Sequence, residues 1–175
     1  MTKLTGLLLL AGTAWMLAAC ASEPLPRRLL FRVDVSPEDD LKTLSWDPNA
    51  PTKGSELRKA AEEALAEWRN CGMDVWLTTS QDPDVIPISF TPSIPHNKYG
   101  QTDFVDDVPQ RVLLLADMPT SAYRAVLLHE FAHVFTRERG HPAESPILKD
   151  NESSTHAEHL TPEDCKFLQD RLGEG

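Results

Sequence analysis

One pentapeptide limits what this chain can fold into more than any other feature. His129-Glu130-Phe131-Ala132-His133 sets two imidazoles four residues apart. On a helix that spacing puts both rings on one side, one turn apart. The segment from Ala122 to roughly Arg137 is predicted as that helix, started by a hydroxyl cap at Pro119-Thr120-Ser121. It follows Arg111 to Ala116, a continuous apolar run that fits a buried strand. Two imidazoles so placed are what one Zn²⁺ needs, because each Zn–N bond is only about 2.0–2.1 Å. Glu130 stands beside such an ion rather than on it, where it can act as general base on zinc-bound water. The plain alternative is an amphipathic helix with two surface histidines and an ordinary glutamate.

A third ligand is needed. His141 follows His133 by eight positions, and on a continued helix it would lie about 12 Å further along the axis. The helix must therefore end and the chain fold back. Gly140 is the residue type that permits such a turn. Glu152, His156, His159 or a water are the competing third ligands.

The rest of the chain reads as one domain of mixed α and β structure. Leu29 to Val35 alternates and is predicted as a strand; residues 36–53 read as loop. Ser55 is the expected N-cap of a helix whose apolar face is Leu57, Ala60, Ala61, Ala64, Leu65 and Trp68, with Gly72 as its stop. Val75 to Leu77 and Ile86 to Phe90 are short strands. Pro92 to Asp107 reads as an irregular loop carrying a short edge strand. Thr161-Pro162-Glu163-Asp164 combines a cap, a proline at the first helical position and acids in the first turn, so a last helix begins there.

Lys3 followed by the apolar run Leu4 to Leu17 reads as an export signal, too short to span a bilayer. The run ends Leu17-Ala18-Ala19-Cys20, which resembles the lipobox of bacterial lipoproteins. That resemblance implies a signal at 1–19, lipid on Cys20 and a tether at 20–28. It also implies anchoring in the cell envelope, with Ala21 favouring the outer membrane. An ordinary signal peptide with a chance cysteine is the alternative. Cys71 and Cys165 then remain, in a compartment that permits a disulfide; two independent buried thiols are the other reading. The formal charge is −10, and no cluster of Lys and Arg appears. This excludes nucleic acid as a partner, because phosphate contacts need clustered cations.

From Leu29 to the C-terminal helix the chain resembles the metzincin clan of zinc peptidases, most closely its matrixin branch. Leu29–Val35, Leu57–Trp68, Asp84–Phe90 and Arg111–Asp117 resemble the first strand, first helix, third strand and the strand before the active helix. LLHEFAHVFTRERGHPAESPIL resembles the active helix, the third-ligand turn and the Met-turn, and LTPEDCKFLQDRLG the C-terminal helix. The resemblance implies an α/β (α+β) fold over 29–175, with a twisted mixed sheet of four to five strands, an active-site helix and a C-terminal helix. It implies one catalytic Zn²⁺ on His129, His133 and His141, with Glu130 as general base. A peptide substrate would lie along an edge strand within Tyr99 to Val108, and its S1′ pocket between the active helix and Pro142 to Leu148. The expected form is a monomeric endopeptidase outside the cytoplasm. No residue pattern indicates an additional structural Ca²⁺. The departures are specific. The family pattern HExxHxxGxxH meets Thr136 and Arg139 here, and Leu148 fills the Met-turn position. Those departures motivate the rival reading, a metal-binding envelope lipoprotein without turnover. Glu152 in turn resembles the third ligand of the gluzincin pattern.

Overall fold

The computed structural model describes residues 28–40, 51–95, 98–142, 145–148 and 158–173. The expected signal at 1–19, Cys20, most of the tether, Glu152 and His156 lie outside the described residues. No helix among the described residues is long and apolar enough to cross a membrane.

Alternation decides how the first strand sits. In β1 (Leu29–Asp34) Leu29, Phe31 and Val33 are buried, while Leu30, Arg32 and Asp34 are only partly covered. Arg32 and Asp34 share that second face and pair at 2.6 Å. Parallel strands usually bury both faces; here both long helices pack on one face of the sheet. The stretch expected as loop contains a short α1 (Pro37–Asp40). α2 spans Lys53–Asn70, and its cap is Thr52 rather than Ser55: the Thr52 hydroxyl accepts from the Ser55 amide at 3.1 Å. Ser55 instead donates back to the Thr52 carbonyl. α2 ends as expected at Gly72, whose φ of 92° closes a Schellman turn with bonds Met73 N–H to Trp68 O and Gly72 N–H to Arg69 O.

β2 (Val75–Leu77), β3 (Ile86–Thr91), β4 (Gly100–Val105) and β5 (Val108–Leu115) complete a five-stranded mixed sheet in the order β2-β1-β3-β5-β4. All neighbours are parallel except β4, which runs antiparallel to β5 at the end of the sheet. Asp106 and Asp107 join these two strands with φ values of 48° and 62°. This is a two-residue hairpin turn whose twist matches its strands. β5 therefore starts three residues earlier than its apolar run, because the hairpin extends the pairing back to Val108.

α3 (Tyr123–Thr136) and α4 (Pro162–Gly173) follow. A 3-10 turn over Thr120–Ala122 leads into α3, with no side-chain cap, so the hydroxyl cap expected from Thr120 and Ser121 is not made. α4 carries its expected cap: the Thr161 amide and hydroxyl both donate to Asp164 Oδ2 at 2.7 Å. The core lies between helices and sheet. The Phe31 ring sits 4.6 Å from Phe131, and Trp68 sits 5.1 Å from Phe135. Each such fully buried aromatic contributes on the order of 1.5–3 kcal/mol of apolar transfer. Cys71 at the end of α2 is bridged to Cys165 in α4, across 94 residues of chain.

Candidate metal centre

α3 is buried almost all round, from Tyr123 and then Val126 to Phe135. Phe131 and Phe135 face β1, and His129 and His133 face the turns that follow the helix. The helix stops through Thr136, whose hydroxyl donates to the Ala132 carbonyl at 2.8 Å and accepts from the Glu138 amide at 3.3 Å. Arg137 then takes the left-handed conformation, φ 56° and ψ 21°. The chain reverses there and not at Gly140, which has no positive φ and has open space where a Cβ would stand. A left-handed non-glycine residue costs about 1–2 kcal/mol, so the Thr136 bonds and the turn beyond must hold Arg137 in place.

The reversal brings His141 back to the helix. His129 Nε2 lies 3.1 Å from His141 Nε2 and 3.2 Å from His133 Nε2. One ring nitrogen from each of the three lies within 4.8 Å of the others. The far sides of two rings are fixed by backbone. His129 Nδ1 is 2.9 Å from the Ile147 carbonyl, and His133 Nδ1 is 2.7 Å from the Glu138 carbonyl. A carbonyl can only accept, so both Nδ1 atoms carry the proton and donate. In the neutral form that metal binding requires, both Nε2 atoms then present lone pairs toward one another, and a cation between them satisfies both. A Zn²⁺ bound tetrahedrally at about 2.0–2.1 Å separates its nitrogen ligands by about 3.3 Å. The residues present therefore fit the ion in donor type, tautomer and spacing.

Two turns supply these carbonyls. In one, Glu138 also pairs through its carboxylate with Arg171 of α4 at 2.6 Å. In the other, the Ser145 hydroxyl accepts from the Leu148 amide at 3.1 Å, and Leu148 is wholly buried. His159 is elsewhere: it is exposed and meets Glu67 and Arg124. That agrees with its reading as an exposed loop residue rather than a third ligand, and the α2 carboxylate Glu67 also accepts from the Leu160 amide beside it.

Glu130 points to β4. Its Oε2 accepts from the Thr102 hydroxyl at 2.8 Å, and the same hydroxyl is 3.1 Å from the Glu130 carbonyl. A Cβ built on Gly100 would stand 2.7 Å from Glu130 Oε1 and 2.5 Å from Val126 Cγ1. Only 4% of Glu130 is exposed. Burial pushes its carboxyl up to about 7, against the opposing hydrogen bond from Thr102. Sequence reasoning missed Thr102 and Gly100. Their signal was a glycine opening an edge strand, which marks close approach of another element, and a hydroxyl two positions on, on the same face.

Compared with protein-family models and with curated protein sequences, the chain matches none.

Proposed function

We propose that this chain is a zinc-dependent endopeptidase of metzincin-like, matrixin-like build, exported and carried on lipid at Cys20, acting on protein substrates outside the cytoplasm. The observation that carries the reading is the convergence of three Nε2 atoms, two of them forced by backbone carbonyls into the tautomer that binds a metal. His129, His133 and His141 would hold the ion. When bound, zinc supplies Lewis acidity at the scissile carbonyl and makes water nucleophilic near neutral pH. Glu130 takes the proton of the attacking water and passes it to the leaving amine. Its position beside two ligands and against β4 supports that role. β4 is the last strand of the sheet and offers main-chain groups to an extended peptide. Leu148, wholly buried and next in sequence to the Ile147 that holds His129, would form the apolar floor of the site in the position the resembled family gives to methionine.

The altered spacing to His141 and Leu148 at the Met-turn position favour a second reading, in which the same fold binds metal without turnover. Metal analysis of the purified protein, together with cleavage of casein or a quenched peptide, separates the two. One zinc per chain, with hydrolysis that vanishes in Glu130→Ala while zinc stays, is the expected result. Zinc without hydrolysis would leave the binding module; neither zinc nor hydrolysis would end both readings.

A further inference from the structure

We propose that Thr102 is a positioning residue for Glu130, so that the strand offered to the substrate also aims the general base; this rests on the peptidase reading above. Three observations carry it. Thr102 and Gly100 occupy alternate positions of β4 and both meet Glu130 of α3. The Thr102 hydroxyl has one proton and two acceptors of the same residue within reach, the carbonyl at 3.1 Å and Oε2 at 2.8 Å. It therefore ties the Glu130 side chain to its own backbone as well as to the strand. At Gly100 the missing Cβ leaves the space that Oε1 and Cγ of Glu130 fill. The carboxylate is thus held on one side by the hydroxyl and the backbone amide of Thr102 and on the other by the bare backbone of Gly100.

Pairing of an extended peptide with β4 would fix the pleat of that strand. The distance from Thr102 Oγ1 to Glu130 Oε2 would be fixed with it. Binding on the outer edge and orientation of the base on the inner face are then parts of one event. Loss of the hydroxyl should leave substrate binding intact and slow the step that needs the base.

The test uses the full chain and three variants. Thr102→Val keeps the strand-forming shape and removes the hydroxyl; Thr102→Ser keeps the hydroxyl; Glu130→Gln removes the base. With a quenched peptide, Thr102→Val should lower kcat about 10–100-fold, the range expected for losing an outer-shell partner, with KM and zinc content unchanged. Thr102→Ser should recover kcat to near wild type. A second readout needs no turnover: after Co²⁺ replaces zinc, Thr102→Val should move the visible absorption bands in the direction Glu130→Gln moves them, and Thr102→Ser should not. Wild-type kcat and bands in Thr102→Val would overturn the proposal. So would equal losses in both threonine variants with a lower melting temperature, which mark a purely structural role. A wild-type protein that binds Co²⁺ and shows the spectral pattern but cleaves nothing would sink the peptidase reading while leaving Thr102 as the group that orients Glu130. A wild type with no Co²⁺ spectrum at all overturns both.

Discussion

Removing the bridge between Cys71 and Cys165 tests how much of the fold depends on a single covalent tie. The perturbation is the double variant Cys71→Ala/Cys165→Ala, with reduction of the wild type as a parallel route. The two residues are 94 apart in sequence, so the bridge closes most of the folded domain into one loop. A loop of that length restricts the unfolded chain by roughly 4–5 kcal/mol on a chain-entropy basis. Against a total stability of about 5–15 kcal/mol for an ordinary domain, this is a third or more. The native contacts around the bridge do not replace it. α4 contributes Leu168 to the core, a bond from Gln169 Nε2 to the Cys71 carbonyl at 3.0 Å, and the Arg171–Glu138 ion pair. The assay is urea unfolding followed by tryptophan fluorescence, with and without reductant. At a slope of about 2 kcal/mol per M, the midpoint should fall by roughly 2 M. Thiol titration of the unfolded, unreduced wild type should find neither Cys71 nor Cys165 reactive. Coincident unfolding curves for wild type and double variant, or two reactive thiols at these positions, would refute the reasoning.

Further outcomes are expected at the histidine cluster and in the turns around it. His141→Ala should loosen zinc binding by more than the roughly 10–100-fold typical of an outer-shell partner, whereas His159→Ala should leave zinc affinity unchanged and cost under about 1 kcal/mol of stability; competition with a chromophoric chelator reads both. Arg137→Val places a β-branched residue in the left-handed turn and should destabilise by about 1–2 kcal/mol while weakening zinc binding, because the Glu138 carbonyl moves with the turn. Gly140→Ala should change melting temperature and zinc affinity negligibly, and a larger effect there than at Arg137 would reverse the assignment of the turn. Leu148→Ala should cost about 2–5 kcal/mol in chemical denaturation, and Leu148→Met, which installs the residue of the resembled Met-turn, under about 1.5 kcal/mol with zinc content retained.

Much of the architecture was legible because it rests on periodicity. Phe31 and Val33 alternate with Arg32 and Asp34, and the sheet takes that alternation directly. The six apolar positions predicted for α2 are its six buried positions. The C-terminal helix was announced by its start at Thr161 to Asp164, whereas the mixed sheet came only as what the family resemblance implies. What stayed illegible depends on backbone geometry that several sequences could satisfy. Thr52 and Ser55 are both hydroxyl residues three apart, and only the extended φ and ψ of Thr52 decide which one caps. The end of α3 near Arg137 was legible, but the turn that brings His141 back was sought at Gly140, because glycine is the usual left-handed residue. The chain instead turns at Arg137, supported by a threonine hydroxyl that bonds on both sides of the turn. At the candidate site, helical spacing located His129, Glu130 and His133 relative to one another. The Ile147 and Glu138 carbonyls that orient the rings are main-chain atoms, and no residue type announces them. Thr102 lies 28 positions before Glu130, so only the folding of a strand against a helix brings the two together.

The register of β4 against β5 shifts between Asp103 and Phe104, with Gln110 of β5 as the extra residue, and this break bears on whatever docks on β4. A ladder can continue only while donors and acceptors keep their alternate spacing, and a bulge ends that regularity. The uninterrupted rim is Gly100 to Asp103, about 13 Å of extended backbone. A guest chain can be zipped on over only a few of its own units before the template runs out of phase. The same brevity guards against fibre growth, since a second molecule laid edge to edge finds too short a runway to stick.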